Sequence, residues 1–268
     1  ALSLWGRHLR RTKQIDQLIY QEIESRRREQ ADLSRTDILS LLMSARDEAG
    51  ESMTDQELRD ELLTLLIAGQ ETTATALAWA LYWIHKLPAV QEKLLKEIDS
   101  LGQDIDATAI NKLPYLNAVC CETLRIYPVG MLTFPRVVES SVNLCGYDLE
   151  PGTILYGNIY LTHHREDLYP EPHMFKPERF LARQFSPYEF LPFGGGVRRC
   201  IGAAFAMFEM KVALVKILSE YSLALADNRD VKAGRRGLVT APASPIKMVV
   251  TGKRNKPTKS FSQQSVLT

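Results

Sequence analysis

The chain has 268 residues, of which 45% are hydrophobic and 24% charged, a balance typical of a globular protein with a sizeable core. Its formal net charge of +1 gives no general attraction to nucleic acid or to an anionic membrane surface. The 4 cysteines are too few and too irregularly spaced for a disulfide framework, and no CxxC pair indicates a structural zinc site. We therefore expect a reducing, cytoplasmic compartment and no nucleic-acid partner.

No membrane span is predicted, because the longest apolar run, residues 62–68, is far shorter than the roughly 20 residues that cross a bilayer. The chain begins with Ala1, already inside a charged amphipathic pattern and without the layout of a signal peptide. We interpret it as starting in mid-protein, which leaves the presence of an upstream membrane anchor open.

The first third of the chain has helical periodicity. Apolar residues at helical spacing among arginines predict a surface helix over residues 1–30, with a membrane-surface helix as the rival interpretation. A short helix is predicted from Thr36 to about Ala49. Residues 54–86 contain no clear stop signal and open on a capping box, so a single helix of about 48 Å, at 1.5 Å per residue, is predicted there.

The rest of the chain mixes helices with short β-rich runs. The predicted elements are helices over 91–101 and 115–126, hairpins over 135–158 with turns at Gly146 and at 151–152, an ordered loop over 163–199 and a helix over 201–221. Strand-like pieces follow. A polar composition predicts a disordered tail over 253–268, which leaves 1–252 as the folded portion.

The most informative stretch is residues 193–202, whose sequence is FGGGVRRCIG. Glycines at 194–196 let the backbone turn tightly and approach a flat ligand closely. Cys200 is predicted at the N-terminal edge of a helix, where unpaired N–H groups and the helix dipole stabilise a thiolate. Such a thiolate suits a haem iron, and the two neighbouring arginines can neutralise haem propionates. The other three cysteines, Cys120, Cys121 and Cys145, are interpreted as small buried hydrophobes.

Five residues of this stretch fit the signature FxxGxRxCxG, namely Phe193, Gly196, Arg198, Cys200 and Gly202. By them the chain resembles the cytochrome P-450 superfamily, and it is most like the soluble bacterial-type members. The resemblance covers residues 50–250 approximately. It implies a mainly α fold with small β-sheets from which the N-terminal part is missing. It also implies a haem b cofactor with Cys200 as axial ligand of the iron and with further contacts from Phe193, Gly194, Arg198, Arg136 and Gly69.

Residues 68–73, with the sequence AGQETT, resemble the oxygen-activation motif of the family within the long predicted helix. Gly69 weakens the helix by about 1 kcal/mol relative to alanine and opens room beside the backbone. The resemblance gives Glu71 and Thr72 catalytic roles in proton supply. The plain alternative is a helical threonine that bonds to a carbonyl one turn earlier.

Glu122 and Arg125 form the ExxR pair of the family. An i,i+3 ion pair alone is a weak signal, because it contributes only about 0.2–0.5 kcal/mol on an exposed helix. The sequence PERF at 177–180 adds Arg179, and the resemblance implies a buried cluster of these three residues that locks the loop carrying Cys200.

Two further interpretations concern basic side chains. Arg136, ten residues before Gly146, matches the place where relatives put a propionate-binding arginine; a plain surface arginine is the alternative. His163 and His164 are conceivable iron ligands by residue type, but the resemblance puts this segment away from the iron.

The resemblance implies monooxygenation of an apolar organic substrate, with O₂ as co-substrate and electrons from NAD(P)H through a ferredoxin or flavoprotein. The expected substrate contacts are residues before Ala68 on the long helix, residues 129–134 and the turn near 241–244. Arg199 and Lys211 are predicted to attract an acidic donor. The rival functions are a peroxide-using haem-thiolate enzyme and a non-catalytic haem-binding protein or inactive fragment.

Overall fold

The computed structural model of the chain describes residues 3–29, 35–102, 106–237 and 239–254. It divides into two compact units, residues 1–71 and residues 72–268, and the boundary falls inside one long helix. The predicted disordered tail lies outside the described residues from position 255 onward.

The first unit is helical. It contains α1 (Leu4–Arg28), α2 (Ile38–Ser44) and the first half of α3 (Asp55–Lys86). The predicted capping box at the start of α3 is present, since the Thr54 amide donates to Glu57 Oε2 at 2.7 Å. Helix α2 ends five residues earlier than expected because the carboxylate of Asp47 accepts the amides of Ala49 and Glu51 and so closes a turn.

A small core holds the first unit together. Ile19 and Ile23 of α1 pack with Leu39 of α2 and Leu58 of α3, and all four are buried. At the edge of this core the Arg59 guanidinium donates through Nε to Asp16 Oδ1 at 2.8 Å. The apolar stripe predicted for α1 also includes Ile15 and Leu18, which are 42% and 65% exposed, so only its Ile19 and Ile23 part is buried.

The second unit continues α3 and adds helices around a larger core. Its further helices are α4 (Pro88–Asp99), α5 (Ala107–Asn111), α6 (Pro114–Ile126), α7 (Ile159–His163), α8 (Arg179–Ala182), a 3-10 turn (Gly196–Arg198) and α9 (Ala203–Glu220). Helix α5 was not predicted, since five residues carry too little periodicity to stand out.

Short antiparallel pairs make up the sheets of this unit. The strands are β1 (Arg136–Val137), β2 (Val142–Leu144), β3 (Tyr147–Leu149), β4 (Ile154–Leu155), β5 (Tyr221–Leu225), β6 (Ala233–Arg236), β7 (Val239–Pro242) and β8 (Met248–Lys253). They pair as β1 with β4, β2 with β3, β5 with β8 and β6 with β7. The fold is thus mainly α with small β-sheets, as predicted.

Helix α6 runs through the middle of the large core. From Tyr115 to Ile126 only Asn117 is not buried. Because its N-cap residue, Leu113, has no side-chain acceptor, the Glu97 carboxylate of α4 caps the helix instead and accepts the amides of Tyr115 and Leu116 at 2.8 Å each. This cap fixes the N-terminal end of α6 against α4.

Two sequence-based expectations are wrong in this unit. Cys145 is exposed and has a φ of 52°, because it lies in the tight turn between β2 and β3 rather than in a core. The predicted tail began too early: Lys253 ends β8, and the Arg254 guanidinium donates to Leu218 O and to Asp99 Oδ2 at 2.8 Å each. Hydrogen bonds across the core edge thus order residues that polar composition alone marked as disordered.

Candidate functional site

The segment around Cys200, residues 189–202 and called the Cys200 segment below, folds back on itself. The Gly194 amide donates to Leu191 O at 2.9 Å, and Gly194 and Gly196 have φ values of 70° and 64°, which residues with a Cβ rarely adopt. The Cys200 amide then donates to Phe193 O at 2.9 Å and closes the loop. The glycines are therefore needed for the conformation that presents the Cys200 thiol.

Cys200 does not stand directly at a helix start, contrary to our prediction. Helix α9 begins at Ala203, with Gly202 as its N-cap. The reason is the turn that residues 201 and 202 make before the helical dihedrals begin. The thiol is exposed, and a Cβ at Gly202 would lie 3.8 Å from Cys200 Sγ.

The surroundings of the thiol suit a flat apolar ligand. Val197 and Ile201 on either side are 98% and 94% exposed, and a Cβ at Gly195 or Gly196 would meet nothing within 4 Å. Large exposed apolar side chains next to each other mark binding surfaces. A soft sulfur donor in a loop that also exposes apolar side chains fits a porphyrin-bound iron.

Two arginines proposed for the propionates differ in their surroundings. Arg198 is exposed at the end of the 3-10 turn. Arg136 lies in β1, is also exposed, and donates through one terminal nitrogen to the carbonyls of Phe134 and Pro135 at 3.1 and 3.2 Å. Both guanidinium groups can therefore reach a solvent-facing anion.

Glu122, Arg125 and Arg179 meet in one buried cluster, which is the arrangement predicted for them. Arg125 and Glu122 form a bidentate pair with Nε–Oε2 and Nη2–Oε1 distances of 2.7 and 2.8 Å, and both side chains have zero exposure. Arg179 Nε reaches Glu122 Oε1 at 3.1 Å from a side chain that is 9% exposed. The Lys176 amide adds a fourth donor to the same carboxylate at 2.8 Å.

The remaining guanidinium protons of the cluster are bound by backbone carbonyls. Arg125 Nη1 donates to His163 O at 2.9 Å and to Pro172 O at 2.8 Å, while Arg179 Nη1 donates to Pro170 O at 3.1 Å. The Pro170 and Pro172 carbonyls belong to the irregular stretch after α7, and His163 is the last residue of that helix. The cluster thus replaces secondary structure as the scaffold of that stretch.

Residues 68–73 all lie in α3. Glu71 is exposed, Thr72 is half-buried and Thr73 is buried, while a Cβ at Gly69 would meet nothing within 4 Å outside its own helix turn. Adjacent acid and alcohol side chains are therefore present on the helix. Their roles stay predictions.

Sequence reasoning missed the role of His163, which is completely buried and accepts a hydrogen bond at Nε2 from the Leu191 amide at 3.0 Å. Burial, and secondarily the charge of Arg125, lowers the pKa of the His163 imidazole to about 3. His163 is therefore neutral. Its position at the end of α7 gave no signal, since the acceptor contact joins residues 28 positions apart.

Lys211 contradicts the expectation that it helps to form a docking surface. It is 5% exposed, and its ammonium donates to Asn111 O and Asn111 Oδ1 at 3.3 and 3.0 Å. It lies on the face of α9 that packs inward with Leu214 and Leu218. Arg199 remains exposed.

No helix in the described ranges is both long and apolar enough to cross a membrane.

Comparisons with known proteins agree on one family. The family model described as cytochrome P-450 matches residues 2–250. A Mycobacterium tuberculosis protein named cytochrome P-450 135B1 is 39% identical over 252 residues, which are 94% of this chain and 52% of that protein. A second protein of that organism, named cytochrome P-450 137, is 37% identical and is covered to 48% of its length by 90% of this chain.

Solved structures give the same result. The retinoic acid-bound cyanobacterial CYP120A1 superposes with a TM-score of 0.84 at 27% identity, covering 94% of this chain and 58% of that one. CYP102L1 superposes with a TM-score of 0.81 at 29% identity, covering 91% and 57%. The chain spans about half the length of the curated relatives it matches. Together with the Cys200 loop and the Glu122 cluster, these similarities show that the chain belongs to the cytochrome P-450 family.

Proposed function

We propose that this chain is the haem-binding portion of a monooxygenase in which Cys200 Sγ ligates the iron of haem b. The observation that carries the proposal is an exposed thiol in a glycine-dependent loop, flanked by Val197 and Ile201. Haem b would cover both the sulfur donor and the apolar side chains next to it, and this combination of a soft donor with apolar surface is expected at a thiolate-bound porphyrin.

The chain's own residues would bind and orient the cofactor. Arg198 and Arg136, both exposed, would pair with the propionates, while Phe193 and Gly194 shape the loop that sets the direction of the thiol. Gly69 leaves space beside α3. When bound, haem supplies the reduction and cleavage of O₂ and the transfer of one oxygen atom to the substrate.

Glu71 and Thr72 would handle protons on the oxygen side. The reaction takes RH, O₂, two electrons and two protons to ROH and water, so two protons must arrive for each turnover. The Thr72 hydroxyl can hold a water at Oγ1, and the exposed Glu71 carboxylate can exchange protons with solvent. This acid-alcohol pair favours an O₂-using enzyme over a peroxide-using one.

The substrate would be an apolar organic molecule. Residues 131–134 include Met131, Leu132 and Phe134, which are 37%, 49% and 72% exposed. The Thr240 amide donates to Val129 O at 2.8 Å, so the start of this segment adjoins β7. Two of the three segments predicted to meet the substrate, residues 129–134 and the turn near 241–244, are therefore neighbours, and the exposed side chains of the first can bind an apolar molecule.

The electrons would come from NAD(P)H through a ferredoxin or a flavoprotein. Arg199 lies exposed next to Cys200 and can attract an acidic donor of this class. The buried Lys211 cannot contribute to that surface.

The decisive experiment is the ferrous-CO absorption spectrum of the chain and of the full-length protein that contains it. A strongly red-shifted Soret band establishes thiolate ligation. Cys200→Ala should abolish the band, whereas Cys145→Ala, which removes the other exposed thiol, should leave it unchanged. A red-shifted band that survives Cys200→Ala would disprove the assignment.

A further inference from the structure

Two side chains that contact the Glu122 cluster, those of His163 and Tyr169, also form hydrogen bonds with residues just before the Cys200 loop. One joins the Leu191 amide to His163 Nε2 at 3.0 Å, and the other joins the Tyr169 hydroxyl to Glu189 O at 2.9 Å. Both side chains have zero exposure. The His163 and Tyr169 ends of these bonds are therefore buried, while the Leu191 and Glu189 ends are less so.

His163 contacts the cluster as well as the segment. Its own carbonyl accepts Arg125 Nη1 at 2.9 Å, while its ring lies 5.5 Å from the Phe190 ring at an interplanar angle of 25°. From Leu191 the path continues through Gly194 N–Leu191 O to the turn that Cys200 N–Phe193 O closes. An unbroken series of short contacts thus leads from Arg125 to Cys200.

Tyr169 provides a second connection of the same kind. Its ring centroid lies 5.2 Å from the Arg125 guanidinium and 6.0 Å from that of Arg179, so both cations contact its face. Its hydroxyl ends on Glu189, two residues before the one that His163 binds.

We propose that His163 and Tyr169 are positioning residues that set the place of the Cys200 thiol by fixing residues 189–191 to the Glu122 cluster. His163 serves as a hydrogen-bond acceptor only. Because Nε2 accepts the Leu191 amide, the imidazole proton resides on Nδ1. The inference deepens the proposed function, since a positioned thiol matters most when it binds an iron.

The first test uses His163→Leu, which keeps apolar bulk but removes the acceptor, and His163→Gln, whose amide oxygen can replace Nε2. Hydrogen exchange of the amides in residues 189–200 is measured in the 268-residue chain. His163→Leu should accelerate it about tenfold, the equivalent of one lost hydrogen bond, while the α9 amides from Met210 to Leu218 stay as protected as before. His163→Gln should restore the wild-type rates.

Two variants extend this test. His164→Leu is the matched control, since His164 bonds within its own helix turn to Tyr160 O at 2.8 Å and should leave exchange unchanged. Tyr169→Phe removes only one hydroxyl and should accelerate exchange at Glu189 and its neighbours. If His163→Leu does not fold, Tyr169→Phe and the ¹⁵N signals of wild-type His163 decide, with the proton expected on Nδ1.

Unchanged exchange in His163→Leu and Tyr169→Phe would overturn the inference, as would a proton on Nε2 or failure of His163→Gln to rescue. These measurements do not require haem, so they separate this inference from the identity of the iron ligand. With haem bound, His163→Leu should also reduce the share of the red-shifted ferrous-CO band, and His163→Gln should preserve it.

Discussion

The Glu122 cluster and the Cys200 segment belong to the same unit of the chain but have opposite surroundings. The cluster buries three charged side chains. Its two guanidinium groups donate hydrogen bonds to the Glu122 carboxylate and to backbone carbonyls. The Cys200 segment exposes its thiol and the apolar side chains beside it. Charge is thus shielded in the region that supports the site, whereas apolar surface is exposed in the region suited to a ligand.

This difference separates stability from function along the chain. Removing one member of a buried ion cluster leaves the others charged without a partner and costs several kcal/mol. Changing an exposed side chain in a loop closed by its own backbone bonds costs little. Substitutions in the two regions should therefore fail in different ways.

The largest effect is expected from Glu122→Ala. It leaves the Arg125 and Arg179 guanidiniums without their carboxylate, so the free energy of unfolding should fall by about 3–5 kcal/mol. Urea unfolding followed by circular dichroism measures this change. Asp167→Ala, which breaks the exposed Arg165–Asp167 pair, is the control and should leave the midpoint unchanged.

Insoluble Glu122→Ala protein would agree with this expectation. A soluble variant with wild-type stability would instead show that the cluster contributes little, and the contrast between the two regions would be lost.

A smaller effect is expected from acid. The pKa of His163 is about 3 in the folded chain and ordinarily near 6.5, so between these values the unfolded chain binds the extra proton. The contribution of His163 to the free energy of unfolding should therefore be fully present above about pH 6.5 and be lost as the pH decreases toward 3. The charged or titratable groups that surround the ring are Arg125, His164 and Tyr169.

Other groups also titrate in this range, so the measurement is the difference between wild type and His163→Gln. The unfolding free energy of the wild type minus that of the variant, determined at several pH values, should decrease as the pH falls, because the variant has no imidazole to protonate. A constant difference from pH 7 to pH 4 would contradict the low pKa of His163.

The sequence predicted the parts of this contrast that have short-range signals. The i,i+3 spacing of Glu122 and Arg125 predicted their pair only together with the family resemblance, whereas the glycines at 194–196 by themselves predicted a tight loop before Cys200. Partners far apart in the chain left no such signal: the contact between His163 and Leu191 depends on how an irregular stretch is folded against α6.

The sequence around Lys211 does contain a signal of its burial. It stands three and seven residues before Leu214 and Leu218 in α9, and residues at this spacing share one face of a helix. The pattern itself predicts a buried position, whereas the prediction of an exposed Lys211 rests on its positive charge alone. Likewise, Cys145 directly precedes the turn glycine Gly146, which favours an exposed turn position over a core one.

The smallest effect on stability, and the most specific one on function, is expected from Thr72→Ala in the full-length protein. Thr72 is half-buried within α3, and alanine has the highest helix propensity, so folding and haem content should not change. Proton delivery should suffer because the hydroxyl that would hold the water is gone. If the two protons do not arrive where they promote O–O cleavage, O₂ that has taken up two electrons and two protons leaves uncleaved as hydrogen peroxide instead of yielding product and water. NAD(P)H consumption should continue while product falls and peroxide rises.

Thr72→Ser, which keeps the hydroxyl, is the matched control and should retain most of the wild-type ratio of product to NAD(P)H. If Thr72→Ala gives that same ratio, Thr72 is only a helix residue and proton supply must be sought elsewhere along α3.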